Sequence, residues 1–406
     1  LEVLSMRVAG VVAEYNPFHL GHAFHLAETR RRLGAEGAVV CVMSGNFVQR
    51  GEAAVLDKWA RAECALLGGA DLVLELPTPW ALSSAEGFAR GAVEVLSATG
   101  VVDALSFGCE DGHIEDLTAA ADCLLTPAYR EALGREAGRN TSFAAARQRA
   151  AASLIGGAAG CLSGPNNNLA VEYLKALRTL NAPLEPMAVS RRGARHDAAS
   201  PEGGFASATA VRELIYAGDM EGAAAWVPRS TAEVLTRGTA FAHAPASLMN
   251  CERAVLAKLR TMSETDFAAL PDGGASEGLS HRMAEAARRG CSLAEVYALA
   301  KTKRYAHARI RRLVLRAWLE LRRDVIPGRV PYVRVLGMNG AGRLLLRRME
   351  KSCHLPVVVK PAHAKKLGEE GRKLFELESR CTDLYALCSP VVRPCGLEWT
   401  SGPVVL

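Results

Sequence analysis

Val11-Val-Ala-Glu-Tyr-Asn-Pro-Phe-His-Leu-Gly-His-Ala-Phe-His25 decides how the first half of the chain is read. Ahead of it, Met6-Arg-Val-Ala-Gly-Val-Val-Ala13 is a short valine-rich run of the kind that forms a buried strand. Asn16-Pro17 ends that strand, because proline lacks an N–H and disfavours helical geometry in the residue before it. From Gly21 the pattern turns helical, with Ala23, Leu26, Ala27 and Leu33 recurring along one face. Two histidines and a glycine therefore fall where a strand becomes a helix N-terminus. Free N–H groups and a partial positive charge at that end suit an anion such as phosphate. Glycine admits close backbone approach, and each imidazole can donate to a phosphate oxygen.

His19-Leu-Gly-His22 resembles the H-x-G-H signature of nucleotidyltransferases and class I aminoacyl-tRNA synthetases. The resemblance implies histidines that stabilise charge building on the α- and β-phosphates as ATP is attacked. The alternative is a pair of histidines that only cap a helix.

Further strand and helix patterns alternate. Gly37 to Met43, Asp71 to Leu76, Ala104 to Phe107 and Pro186 to Ser190 read as strands. Lys58 to Leu67, with Asp57 as its cap, and Ser84 to Leu96 read as helices. Such alternation implies an α/β fold with a Rossmann-like parallel sheet, whose ligands bind beyond the carboxyl ends of the strands. Residues 113–158 are alanine-rich and helical in pattern, and Gly164-Pro-Asn-Asn-Asn168 opens another helix with an asparagine suited to cap it. Those asparagines are open to two readings, turn chemistry or ligand contact. Ser207-Ala-Thr-Ala-Val-Arg212 then places two hydroxyls and an arginine at a helix start, a second anion clamp. It resembles the S-x-T-x-[IV]-R element that follows H-x-G-H in the same superfamily and holds the triphosphate.

Composition bounds the rest. At 406 residues and 49% hydrophobic content the chain can build two or three cores, and it has no low-complexity run. Its apolar runs fall short of the roughly 20 residues that span a bilayer, so no membrane partner is expected. No secretory signal pattern is visible, and Met6 is a candidate natural start. Eleven cysteines without a C-x-x-C pair read as thiols of a reducing, cytoplasmic compartment. Cys381, Cys388 and Cys395 are evenly spaced, but their seven-residue steps are not a zinc pattern, and no metal is expected there.

From about residue 247 the pattern is mostly helical, with brief strands near Val333 and Val357. The segment 301–323 carries nine lysines and arginines against one acid, Glu320. Ile310, Leu313, Val314, Ala317 and Leu321 take helical spacing and should pack inward, leaving Arg309, Arg312 and Arg316 on an outer face. With Tyr305 and His307 interleaved, that face suits an RNA backbone; a merely solvated basic face or a membrane-surface helix is the alternative. Two regions are expected: a nucleotidyltransferase-like domain over 6–220, and a mostly helical, basic region over 221–406.

Taken together, Ala13 to His22, Met43-Ser-Gly-Asn-Phe-Val-Gln-Arg-Gly51, Asp57-Lys-Trp-x-Arg-x-Glu63, Phe107-Gly108, Gly164-Pro-Asn-Asn167 and Lys303-Arg-Tyr305 resemble the bacterial tRNA(Met) cytidine acetate ligase family. The resemblance implies a ligase that uses ATP, with Mg2+, and acetate to acetylate the wobble cytidine of elongator methionine tRNA through an acetyl-adenylate. By motif, His19, His22 and Arg212 would be catalytic. ATP would lie against Val12, Ala13, Glu14, Tyr15, Asn16, Pro17, Phe18, His19, Leu20, Gly21, His22, Ala23, Phe24 and His25, with Gly108, Asn166, Asn167, Arg191, Ser207 and Thr209. Lys303, Arg304, Arg309, Arg312 and Arg316 would meet tRNA. Asn168, where an aliphatic residue is usual, and the loop from Arg192 to Phe205 depart from the family pattern. The competing function is a nucleotidyltransferase of cofactor biosynthesis that acts on a small molecule with the same ATP site.

Overall fold

The computed structural model describes residues 6–110, 113–137, 143–190 and 205–406. Five parallel strands, β1 (Val8–Ala13), β2 (Ala38–Ser44), β3 (Leu72–Leu76), β4 (Ala104–Cys109) and β5 (Glu185–Ser190), lie side by side in the order β3-β2-β1-β4-β5. All seven residues of β2 and all five of β3 are buried, as expected of strands covered by helices on both faces. The chain runs outward from β1 in one direction through β2 and β3, and in the other through β4 and β5. The gap between the C-terminal ends of β1 and β4 is therefore the switch point of the sheet, where such folds take their ligands.

The sheet does not stop at the N-terminal half. β6 (Val333–Met338) runs antiparallel to β3, and β7 (Val357–Val358) and β8 (Val404–Val405) each pair parallel with β6. The two expected regions thus share one sheet.

The helices that matter for the site are α1 (Leu20–Leu33), α2 (Lys58–Leu67), α3 (Ala85–Ala98), α4 (Pro165–Thr179), α5 (Ala208–Tyr216), α6 (His307–Trp318), α7 (Gly340–Ser352) and α8 (Glu369–Tyr385). Asp57 caps α2 as expected, accepting the Ala60 N–H at 2.9 Å. Among the described residues, no helix is long and apolar enough to cross a membrane.

A buried ionic cluster joins the ends of the chain. Lys58, fully buried at the start of α2, donates to Glu75 of β3 at 2.7 Å and pairs with Glu398. Arg334 of β6 stands 3.4 Å from the other Glu398 oxygen. Glu378 of α8 accepts from the Thr78 N–H at 2.6 Å and its hydroxyl at 2.7 Å. Burial, and then the charge of Glu75, push the Glu378 carboxyl up to about 8.

Candidate active site

The turn between β1 and α1 is held by its own side chains. Tyr15 adopts φ 49°, unfavourable for a residue with a side chain, and its ring is buried with the hydroxyl 3.3 Å from Cys41 Sγ. His19 is the helix cap: its Nδ1 accepts the Gly21 N–H at 3.0 Å, while His22 Nδ1 accepts the His19 N–H at 3.3 Å. The two rings stack with centroids 3.7 Å apart. Because both Nδ1 atoms accept, the neutral rings carry their protons on Nε2, the atom that can donate to a ligand. A Cβ at Gly21 would stand 2.9 Å from the His19 ring, which explains the glycine. Capping and anion binding are thus two uses of one pair of rings.

Arg212 brings the second motif to the first. From α5 it donates to the Asn16 carbonyl at 2.9 Å and to Thr209 Oγ1 at 3.2 Å, and it stands 3.6 Å from Glu52. Ser207 caps the same helix, accepting the Ala210 N–H at 3.1 Å. Opposite, Glu14 accepts the Gln49 N–H at 2.6 Å. Burial raises the Glu14 carboxyl above its usual range against the pulls of that N–H and of Arg212. Beneath the loop, the buried Arg61 guanidinium donates to the carbonyls of Glu14 at 2.6 Å, Ser44 at 3.1 Å and Leu56 at 3.0 Å, and also to Gly45. One core arginine therefore fixes the β1–α1 turn and the 44–53 loop together.

These elements surround a cleft of about 250 Å³ at the switch point. Val12, Ala13, Glu14, Tyr15, Asn16, His19, Gly21, His22, Phe24, His25, Gly108, Asn166, Ser207, Thr209 and Arg212 line it, as the sequence leads one to expect. Pro17, Phe18, Leu20, Ala23 and Asn167 do not. Phe18 is fully buried against Tyr15, and Leu20 donates its N–H to the Trp226 carbonyl. Asn167 is spent on the Glu110 N–H at 2.9 Å. No asparagine caps α4: Gly164 occupies that position, and Asn168 donates to the Leu162 carbonyl at 3.0 Å. Arg191 and most of the Arg192–Phe205 loop lie outside the described residues. Sequence reasoning missed Gln49, Arg50 and Glu52 on one wall, and Phe88, Tyr173 and Phe205 on the apolar side. The polar loop after β2 was the signal for the first three.

The basic segment differs most from expectation. Ile310, Leu313, Val314, Ala317 and Leu321 are buried, but so are Arg312 and Arg316, at 8% and 3% exposure. Arg316 pairs with Asp272 at 2.8 Å and Arg309 with Glu277 at 2.8 Å, while Arg312 donates to the Gln49 carbonyl at 3.3 Å. Burial, then Arg316, lower the Arg312 guanidinium to about 10. These three side chains form no outer face. An amphipathic pattern marks the apolar side of a helix but cannot say that another layer covers its polar side. Lys303 and Arg304, by contrast, are exposed. Gly51, at φ +79°, lies so close to α6 that a Cβ would stand 2.5 Å from the Arg312 nitrogen. The helix thus abuts the wall of the cleft.

A family model described as HIGH Nucleotidyl Transferase matches residues 6–395. The tRNA(Met) cytidine acetate ligase of Caldanaerobacter subterraneus subsp. tengcongensis is 37% identical over 390 residues, 94% of this chain and 95% of that protein. The protein of the same description from Acetivibrio thermocellus is 33% identical over 421 residues, 99% of this chain and 100% of its own. Crystal structures of Thermotoga maritima TmcAL, in an apo form and bound with alpha-thio ATP, match with TM-scores of 0.93 and 0.91. Each is 34% identical and covers 99% of this chain and 100% of its own. The chain belongs to the tRNA(Met) cytidine acetate ligase family, built on the nucleotidyltransferase fold.

Proposed function

We propose that this protein acetylates the wobble cytidine of elongator methionine tRNA, using ATP and acetate, in the cytoplasm. The observation that carries the reading is the meeting of His19, His22 and Arg212 at one cleft on the sheet's switch point. An acetate oxygen attacks the α-phosphorus and pyrophosphate leaves with the electrons of the broken P–O bond. The cytidine 4-amino nitrogen then attacks the acetyl carbonyl, AMP departs, and the nitrogen loses a proton.

The chain's part is alignment and charge stabilisation, without a covalent nucleophile. His19 and His22 donate from Nε2 to phosphate oxygens, and the planar fork of Arg212 meets two more. Phe88, Phe107 and Tyr173 offer an apolar wall for a base. Mg2+ entering with ATP needs only one or two carboxylates beside the phosphates, and Glu14 lines the cleft. When bound it would screen phosphate charge.

The test is purified protein with ATP, labelled acetate and bulk tRNA, followed by nucleoside analysis. Labelled acetylcytidine in methionine tRNA is the expected result. Pyrophosphate exchange without any transfer to RNA would overturn the acceptor.

A further inference from the structure

If Arg312 and Arg316 serve the interior, a surface that follows RNA must lie elsewhere. A groove runs between the helix Leu279–Arg289 and the segment 301–305, lined by Gly278, His281, Arg282, Glu285, Arg289, Thr302, Arg304 and Tyr305. Arg282, Arg289 and Arg304 are exposed, and none has a carboxylate within ion-pairing distance among the described residues. Arg282 uses only its Nε, on the Ala300 carbonyl at 3.0 Å, so its terminal nitrogens remain to meet a ligand. Three acids nearby are already paired, Glu285 with Arg288 at 2.7 Å, Glu277 with Arg309 at 2.8 Å and Asp272 with Arg316 at 2.8 Å, while Glu264 stands 3.0 Å from His281 of the groove. These pairings leave the positive charge of Arg282, Arg289 and Arg304 less opposed. Gly278 begins the 11-residue helix without a side-chain cap, so backbone N–H groups at that end add to the positive field.

Position favours the same partner. Tyr305 lies in the groove with its ring buried, and α6 begins two residues later. Four residues further, Arg311 pairs with Glu52 on the wall of the cleft. From His307 to Arg311 the helix rises about 6 Å. The helix thus runs from the groove to the wall of the cleft.

We propose that this groove holds backbone phosphates of the RNA flanking the acceptor base, with Arg282, Arg289 and Arg304 as the contacting cations. The inference rests on the tRNA reading above.

The triple variant Arg282→Ala/Arg289→Ala/Arg304→Ala tests it, with tRNA titrated at several salt concentrations. Binding should weaken roughly ten-fold or more, and the log–log salt slope should fall by about two units, somewhat under one per lost contact. Acetate-dependent ATP–pyrophosphate exchange should stay within about two-fold, and the melting temperature should fall only slightly, because Arg282 gives up one hydrogen bond to the Ala300 carbonyl and exposed substitutions otherwise change stability little. Wild-type affinity with an unchanged slope would overturn the groove. A loss of melting temperature and exchange along with RNA binding would overturn it in favour of a packing role. Wild-type protein that binds no tRNA would remove the acceptor reading and this inference together, while intact RNA binding in the wild type keeps the two failures distinct.

Discussion

Glu52 is held by the guanidinium of Arg311 while standing 3.6 Å from Arg212. A single carboxylate on the cleft wall thereby links α6 to the arginine of the second phosphate motif. Arg212 also has two other anchors, the Asn16 carbonyl and Thr209, so it keeps its orientation when Glu52 is neutralised. What disappears is a negative charge close to the phosphates. Over about 8 Å that charge costs about 0.5–2 kcal/mol, depending on the local dielectric. Glu52→Gln is therefore expected to bind ATP several-fold more tightly in a direct titration. Weaker binding would mean that orientation of the arginines outweighs repulsion.

His19 has both a structural and a chemical task, and substitutions separate them. His19→Ala loses the cap, worth about 1 kcal/mol, together with the phosphate donor. His19→Asn restores a capping oxygen without the imidazole Nε2. Both variants should lose about 10²–10³ in pyrophosphate exchange, the usual cost of one transition-state donor. Only the alanine variant should show a lower melting temperature. Recovery of exchange in His19→Asn would reduce the ring to a cap.

Arg316 offers the opposite case, a charged residue whose loss is structural. Its side chain is 3% exposed, but its partner Asp272 is 35% exposed and partly solvated. Removing a fully buried partner costs about 3–5 kcal/mol, so the expectation for Arg316→Ala is lower, about 1–3 kcal/mol. Denaturant unfolding measures it. Lys303→Ala on the exposed segment should stay within about 0.5 kcal/mol. Equal stability in the two variants would contradict the burial.

The buried cluster around Glu378 gives a pH dependence. Glu75 and Lys58 act on it, and Thr78 donates to it. An unfolded glutamate titrates near about 4.3. The folded value of about 8 lies above it, so the folded protein binds more protons in between. The stability from this group is full below the lower value and is lost as pH rises to the upper one. Unfolding free energy should therefore decline from mildly acidic pH to about 8, and Glu378→Gln, which keeps a neutral acceptor for Thr78, should flatten the decline. An identical slope in both proteins would show that another group governs it.

The parts legible in sequence were those set by neighbours along the chain. Strand patterns, the cap at Asp57, the histidine motif and the inward face of α6 depend on spacing within a few residues, and each stands where the pattern put it. What could not be read depends on partners far apart. Arg312 meets Gln49, Lys58 meets Glu398, and β6 enters the sheet beside β3. A basic residue on the polar side of a helix looks the same whether water or another layer lies above it. The asparagines after Gly164 show a smaller version of the problem: Asn167 is committed to Glu110, and local turn chemistry gave no hint of that.

The entry of β6 and β8 into the sheet also joins segments that are made far apart in time. A ribosome delivers the histidines of the cleft long before the strand beside β3. Until then β3 presents an unpaired edge, and Lys58 has only Glu75 of its two carboxylate partners. The nascent protein carries its ATP motif on five parallel strands before a sixth covers the edge of β3. The strand that covers the edge of β3 is therefore made after every residue that lines the basic groove.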